Sequence, residues 1–237
     1  MDHRPGTLSL LLLSVSLLVG CGKSDSPAGV SGFQERAVRN NTRFVEQLDA
    51  LGYFRQLAPD QIAARKQAFL REGWNALFSG PPHRLMPADA EDLTEGGMAE
   101  FFRLVQPFLV AEGVRLPEVR DELGSAGYVF HVGDIPHVIY TREEQLREAN
   151  DELPGLTRGL SMARGFAILN GLLKAAGSSE RAYAVGGDND LFVFFLTPEL
   201  FALITQHPDA LPPEAPYVPT EAYPNFGLPE WQEGVAP

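Results

Sequence analysis

Apolar residues recur between positions 34 and 51 at Val38, Phe44, Val45, Leu48 and Leu51. That spacing forms one stripe of a helix, and Gly52 supplies its stop. Ala58-Pro59-Asp60 opens a second helix, with Ile62, Phe69, Leu70, Trp74 and Leu77 as its apolar face. Proline lacks an N–H and suits the first turn, so Pro59 marks the start. Ser79-Gly80-Pro81-Pro82 ends it. A third helical stretch covers Asp89 to Glu112, with an interruption at Gly96-Gly97. Pro107 predicts a kink or break inside it.

Beyond position 127 the period changes from helical to alternating. YVFHV (128–132) and IPHVIYT (135–141) flank Gly133-Asp134, a two-residue hairpin signal. Pro136 cannot donate to a ladder, which predicts an edge strand. Residues 156–176 read as a long helix capped by Gly177, with Gly159, Gly165 and Gly171 predicting close packing against a neighbour. RAYAV (181–185) and LFVFFL (191–196) form a second hairpin around GGDND (186–190). LFVFFL is apolar on both faces, as a central strand would be. Thr197-Pro198-Glu199 then reads as cap and first turn of a helix through Thr205. From His207 to Pro237 the chain carries eight prolines and the aromatics Tyr217, Tyr223, Phe226 and Trp231. That composition predicts an extended, polyproline-like segment draped over the domain.

The order of elements predicts an α+β fold: N-terminal helices followed by an antiparallel sheet of two hairpins with intervening helices. The expected organisation is a signal peptide over 1–20, a flexible tether over 21–32, one globular domain over 33–206 and a packed C-terminal segment over 207–237.

The first residues carry a different pattern. MDHRPGT precedes LSLLLLSVSLLVG (8–20), thirteen residues without a charge. As a helix that run spans about 20 Å, short of the roughly 30 Å hydrocarbon core of a bilayer. A charged start, a short apolar run and a small residue at its end make a signal-peptide pattern. Leu18-Val19-Gly20-Cys21 resembles the lipobox of bacterial lipoproteins, a likeness confined to residues 1–21. The resemblance implies that the Cys21 thiol receives a diacylglyceryl group and that cleavage makes Cys21 the first residue of the mature protein. Palmitate-type acylation of the new N-terminus is implied as well. Two or three acyl chains anchor stably where one does not. The likeness places the protein in the bacterial cell envelope, and Gly22, where an Asp would retain it in the inner membrane, points to the outer membrane facing the periplasm. GKSDSPAGVSG (22–32) is small and polar, the composition of a tether.

Charge narrows the partners. The chain of 237 residues has a formal net charge of −12 at pH 7. Such a surface repels phosphate backbones, which argues against nucleic acid; it is compatible with a basic protein partner, although the solubility of an exported protein is the plainer account of the charge. Membrane contact then falls to the lipid on Cys21. Cys21 is the single cysteine, so the mature chain has no internal disulfide, no cysteine metal site and no thiol nucleophile. Apart from the covalent lipid, no cofactor is expected.

Candidate chemistry is sparse. His131 and His137 invite a metal reading, but a two-residue loop pairs 131 with 136 and 130 with 137, so the two imidazoles point to opposite faces. One face then collects Tyr128, Phe130, Val132, Ile135, His137 and Ile139 as core. Asp188, Asn189 and Asp190 could offer oxygens to a ligand, yet their spacing matches neither an EF-hand nor a phosphate-cradling loop, and a hairpin turn explains them. The acidic stretches Asp89–Asp92 and Glu118–Glu122 read as solvated helix termini or faces. Arg181, Tyr183, Tyr140 and Arg142 could meet across a sheet, as a recognition patch or equally as a salt-bridged sheet rim.

The expectation is a lipid-anchored envelope protein that binds a macromolecule without catalysis, in one version an inhibitor or immunity-type protein against a basic toxin or hydrolase. One alternative is an envelope hydrolase with a site built from Asp188, Asp190 and His131; another is a structural envelope lipoprotein.

Overall fold

A computed structural model describes residues 28–80, 83–211 and 213–229. The expected signal peptide, Cys21 and the tether up to position 27 lie outside the described residues, as does Trp231.

The chain folds as α+β, with seven helices and two three-stranded antiparallel sheets among the described residues. Helix α1 (Ala28–Ala50) begins inside the expected tether, which corrects its C-terminal boundary. Once the amphipathic part is helical, each further residue adds a hydrogen bond, so the helix propagates past Gly32. Phe44, Val45 and Leu48 are buried, whereas Val38, placed on the same predicted stripe, is 59% exposed. Gly52 turns the chain at φ +75°. Helix α2 (Pro59–Glu72) starts with Pro59 in its first turn, and Gln61 Oε1 accepts from Ala58 N at 3.1 Å. It hands over at Gly73 to a 3₁₀ turn (Gly73–Leu77) that buries Trp74 and Leu77.

Strand β1 (Leu85–Pro87) is followed by helices α3 (Ala90–Thr94) and α4 (Met98–Ala111), separated at Gly96-Gly97 as predicted. Helix α4 runs through Pro107 without the expected break. Pro107 is on the exposed face, where the carbonyl one turn back can be hydrated. Strands β2 (Val119–Gly124), β3 (Gly127–Val132) and β4 (Ile135–Thr141) follow, then helices α5 (Arg142–Ala149) and α6 (Leu156–Ala175). Residues Glu118–Glu122 are therefore not a helix face: Val119 to Glu122 pair with Val132 to Val129 in β3. Strands β5 (Arg181–Val185) and β6 (Phe192–Leu196) and helix α7 (Pro198–Thr205) complete the order.

The two expected hairpins form, but each sits in its own sheet with a third strand. One sheet has the order β1-β6-β5, the other β2-β3-β4. The first divides two cores. Phe194, Leu196, Tyr183 and Val185 face α1, α2 and α7, while Val193, Phe195, Ala182 and Ala184 face the core shared with α3, α4, α6 and the second sheet. Apolar layers on both sides explain why LFVFFL lacks alternation. Each buried phenylalanine contributes about 1.5–3 kcal/mol from removal of its surface from water.

The second sheet presents one face to α4 and α6. Val132 pairs with Ile135, His131 with Pro136 and Phe130 with His137, the register expected for the two-residue loop. A bulge between Tyr128 and Val129 then shifts the pairing. Strand β4 is an edge, as Pro136 requires. The predicted core face holds for Tyr128, Phe130, Val132 and Ile139, but Ile135 is 62% exposed because it ends the edge strand.

Helix α6 is packed through its glycines. A Cβ on Gly159 would lie 2.1 Å from the Phe226 ring, and one on Gly165 would lie 2.8 Å from Met98 Sδ. Gly171 faces open space instead. Tyr217 and Phe226 are buried, and Tyr217 exchanges backbone hydrogen bonds with Ala184 at 2.8 and 2.9 Å. The C-terminal segment up to residue 229 thus adds a short pairing to β5 and seals the second core.

Candidate functional site

Two cavities flank the short edge strand β1 and share Pro87 as a wall. On one side lies an acidic groove of about 430 Å³. Asp89, Asp92, Glu95 and Glu100 line it, over a floor that includes Leu93, Phe101 and Leu104. The local sequence explains the shape. Asp89 caps α3, its Oδ1 accepting from Glu91 N at 3.0 Å and Asp92 N at 3.3 Å. Gly96 at φ +96° and Gly97 let the chain double back into α4, so that Glu95 and Glu100 flank the turn. Among the described residues no Lys or Arg pairs with these four carboxylates. Leu104 is 49% exposed beside them.

On the other side lies a cleft lined by α2, by residues 77–80 and by residues 83–85. It consists of two adjoining cavities of about 330 and 250 Å³, both lined by Arg65, Ser79, Gly80 and His83. Leu57, Ala64 and Ala68 form an apolar wall of the larger. Arg65 is buried in the middle of α2. Its Nη1 donates to the Ser79 carbonyl and its Nη2 to the Leu77 carbonyl at 3.5 Å, which secures the end of the 3₁₀ turn. Its Nε has no hydrogen-bond partner among the described residues.

His83 Nε2 lies 3.1 Å from the Tyr53 carbonyl. A carbonyl can only accept, so Nε2 carries the proton and Nδ1 is a bare acceptor. Burial, followed by the positive charge of Arg84, lowers the His83 pKa to about 4, and the ring is neutral at pH 7. Burial also raises the Tyr53 phenol above its usual value, against the lowering influence of Arg65 and Arg84.

Behind the cleft, Arg84 is fully buried in a polar network. It donates to Glu180 Oε2 at 2.8 Å, Tyr53 O at 2.7 Å, Phe195 O at 2.9 Å and Gly52 O at 3.2 Å. Glu180 Oε1 lies 2.9 Å from Arg55, too poorly aligned for a hydrogen bond. Arg55 also reaches Glu112 Oε1 at 2.7 Å, and Ser178 donates to Glu112 Oε2 at 2.6 Å. Burial pushes the Glu112 carboxyl up, but donors from Ser178, Arg55 and Gln56 outweigh it and hold the group below the usual range. The network fastens the α1–α2 turn to one end of the β5–β6 pair, where Glu180 precedes β5 and Phe195 nears the close of β6.

The residues singled out in the sequence lie elsewhere. His131 is on the outward face of the second sheet, its Nε2 2.9 Å from Glu122 and its Nδ1 3.0 Å from Arg120. Those two donors pull the Glu122 pKa down. The GGDND loop joins β5 to β6 of the first sheet and packs beside α3. It turns with Gly186 at φ +72° and a 3₁₀ turn over Asp188–Asp190. Asn189 and Asp190 are exposed, and the Asp188 side chain lies outside what is described. His131 and this loop thus belong to different sheets. Among the described residues there is no group of three or more His, Cys, Asp or Glu side chains that could hold a metal ion.

The expected Arg/Tyr patch does not assemble. Tyr183 stacks on Phe201 with ring centres 4.1 Å apart, and Tyr140 donates to Thr94 O at 3.1 Å under the other sheet. Arg181 turns to the carbonyls of Ser178 and Glu180, and Arg142 to Gln145.

Sequence reasoning read Asp89–Asp92 as a solvated helix start and missed the groove, which needs Glu95 and Glu100 brought round by the glycine turn. It missed the cleft entirely. A lone arginine among alanines in QIAARKQAFL (61–70) is the only signal, and it is a faint one. No family model matches the chain, and no curated protein or solved structure matches it.

Proposed function

We propose that this chain is a lipid-anchored cell-envelope protein, tethered through acylated Cys21, that binds a basic macromolecular partner without catalysis. The lipobox-like Leu18-Val19-Gly20-Cys21 supports the address, and the outer membrane facing the periplasm is the placement that Gly22 favours. The acidic groove carries the binding reading. Asp92, Glu95 and Glu100 are carboxylates without cationic partners among the described residues, set beside the exposed side chain of Leu104. Carboxylates that contribute nothing to internal pairing are available to steer and hold a positively charged segment. A lysine- or arginine-bearing protein with an apolar residue at its contact centre fits such a surface. An inhibitor or immunity-type role against a basic toxin or hydrolase has the same sign of charge.

Crosslinking and pull-down from envelope fractions test the reading. The expected product is a basic protein recovered by the wild type and lost with the triple variant Asp92→Asn, Glu95→Gln, Glu100→Gln. Equal recovery by both proteins, or no partner together with turnover of an envelope substrate, would overturn it. The anchor is tested apart, by labelling with a lipid precursor: wild type takes up label, Cys21→Ala does not and leaves the membrane fraction.

A further inference from the structure

We infer that α1 lays an arginine stripe, Arg36, Arg39 and Arg43, against the anionic headgroups of the bilayer that holds the lipid anchor. The inference rests on the reading of Cys21 as the acylated residue. At 100° per residue the three arginines fall within about 60° of one another, and Leu48, fully buried, is about 120° or more round the helix from each. The stripe therefore faces away from the core. Positions 35 to 40 are all exposed, as is Arg43, so this part of α1 projects past the domain.

Charge sets this stretch apart. The chain has 31 Asp and Glu against 19 Lys and Arg, yet Glu35 is the one acidic residue between positions 33 and 45. Glu35 meets Arg39 at 3.8 Å with both side chains 67% exposed, a solvated pair that holds the arginine weakly. The next carboxylates, Glu46 and Asp49, come where α1 meets the domain, and Lys66 takes Asp49 at 2.7 Å. Position supplies the occupant. Seven residue steps separate Cys21 from Ala28, a reach of at most about 25 Å, and α1 runs about 23 Å from Ala28 to Arg43. A helix lying along the surface brings all three guanidinium groups to the headgroups. The acidic domain then sits behind a helix about 10 Å thick, beyond the screening length of about 8 Å at physiological salt. Each arginine near an anionic surface favours the docked state about fivefold, so three favour it about a hundredfold.

The test uses the full chain, expressed with residues 1–20 and reconstituted into vesicles of phosphatidylcholine alone or with about 30% phosphatidylglycerol. Cys21 is the single cysteine, and acylation occupies its thiol, so an introduced cysteine is labelled alone. Asn40→Cys places a fluorophore beside the stripe, and Val38→Cys places one about 160° round the helix from it. Quenching by headgroup nitroxide lipid reads contact with the surface. The Asn40 probe is expected to be quenched about threefold or more strongly in the anionic vesicles, and more than the Val38 probe. About 1 M salt, where screening acts over about 3 Å, should remove the difference. The triple variant Arg36→Gln, Arg39→Gln, Arg43→Gln should remove it too, with far-UV dichroism unchanged. Equal quenching in both vesicles, as docking on an acidic protein would give, overturns the inference; so does a Val38 probe quenched as strongly as the Asn40 probe, or quenching that survives the triple variant. The comparison of lipids uses the native arginines, so the outcome does not depend on the variant folding. A chain that fails to sediment with the zwitterionic vesicles overturns the anchor and this inference together; one that sediments but is quenched equally overturns this inference alone.

Discussion

The acidic groove and the arginine-lined cleft lie on either side of β1 and share Pro87, yet they use charge in opposite ways. In the cleft, Arg65 and Arg84 are buried and spend their donors on the backbone of the α1–α2 turn, the 3₁₀ turn and β6. Charge there holds segments together that are far apart in sequence. In the groove, Asp92, Glu95 and Glu100 hold nothing of the kind. The difference separates charges that build the fold from charges the fold displays, and each class should fail differently when altered.

The largest effect is expected on the cleft side. Arg84→Met leaves Glu180 buried with only the misaligned Arg55 nearby, and removal of one partner from a buried pair costs about 3–5 kcal/mol. Urea denaturation should show this as a lower midpoint at unchanged slope. The double variant Arg84→Met, Glu180→Leu removes both charges and should recover most of the loss. If the single variant is as stable as wild type, the network is not a structural element and the contrast with the groove disappears.

Acid comes next. His83 is pushed from its usual value of 6.5 down to about 4, by burial first and by Arg84 second. Between those values the unfolded chain binds a proton that the folded protein does not, so stability falls as pH drops through that window. The stabilisation is complete above pH 6.5. Between about pH 7.5 and about pH 4.5 the loss from this residue is about 2–3 kcal/mol. Carboxylates titrate over the same range: Glu112 and Glu144 are both held below the usual value, burial opposing and hydrogen-bond donors prevailing. The useful quantity is therefore the difference between wild type and His83→Gln, whose stability should fall less over the same interval. Parallel curves for the two proteins would mean that His83 carries no linked proton.

Both regions show where local sequence pattern ends. The α+β class, both hairpins, the Gly133-Asp134 register, the α7 cap and the central place of LFVFFL rest on periodicity and turn chemistry within about ten residues of each other. These were legible. Strand β2 was not, because VRDELG is short, charged and exposed, and becomes a strand only through β3. Helix α5 has the capping-box pattern Thr141-Arg142-Glu143-Glu144, with Glu144 N donating to Thr141 Oγ1 at 3.2 Å, yet it buries no residue and has no apolar stripe to announce it. The division of two cores by the first sheet was hidden for a related reason. It depends on β1, three residues long, whose partner β6 lies more than one hundred positions away. The cleft is invisible for the same cause: Arg65, His83 and Arg84 are brought to Tyr53 by tertiary packing alone. His131 stood out in the sequence through its residue type, and the fold pairs it with Glu122 and Arg120.

The smallest effect on stability, and the sharpest form of the comparison, belongs to the groove. The triple variant Asp92→Asn, Glu95→Gln, Glu100→Gln removes three negative charges that pair with nothing internal among the described residues. Its unfolding free energy should stay within about 0.5 kcal/mol of wild type, the range for surface changes away from structural features. A slight gain is expected at low ionic strength, since three like charges on one turn repel, and it should vanish at physiological salt, where screening acts over about 8 Å. Asp89 is the internal control. It lines the same groove but caps α3 through Glu91 N and Asp92 N, so Asp89→Ala should cost about 1 kcal/mol where the triple costs almost nothing. A triple variant that unfolds as readily as Arg84→Met would show that the groove carboxylates are structural, and that the charge this face displays is not free for a partner.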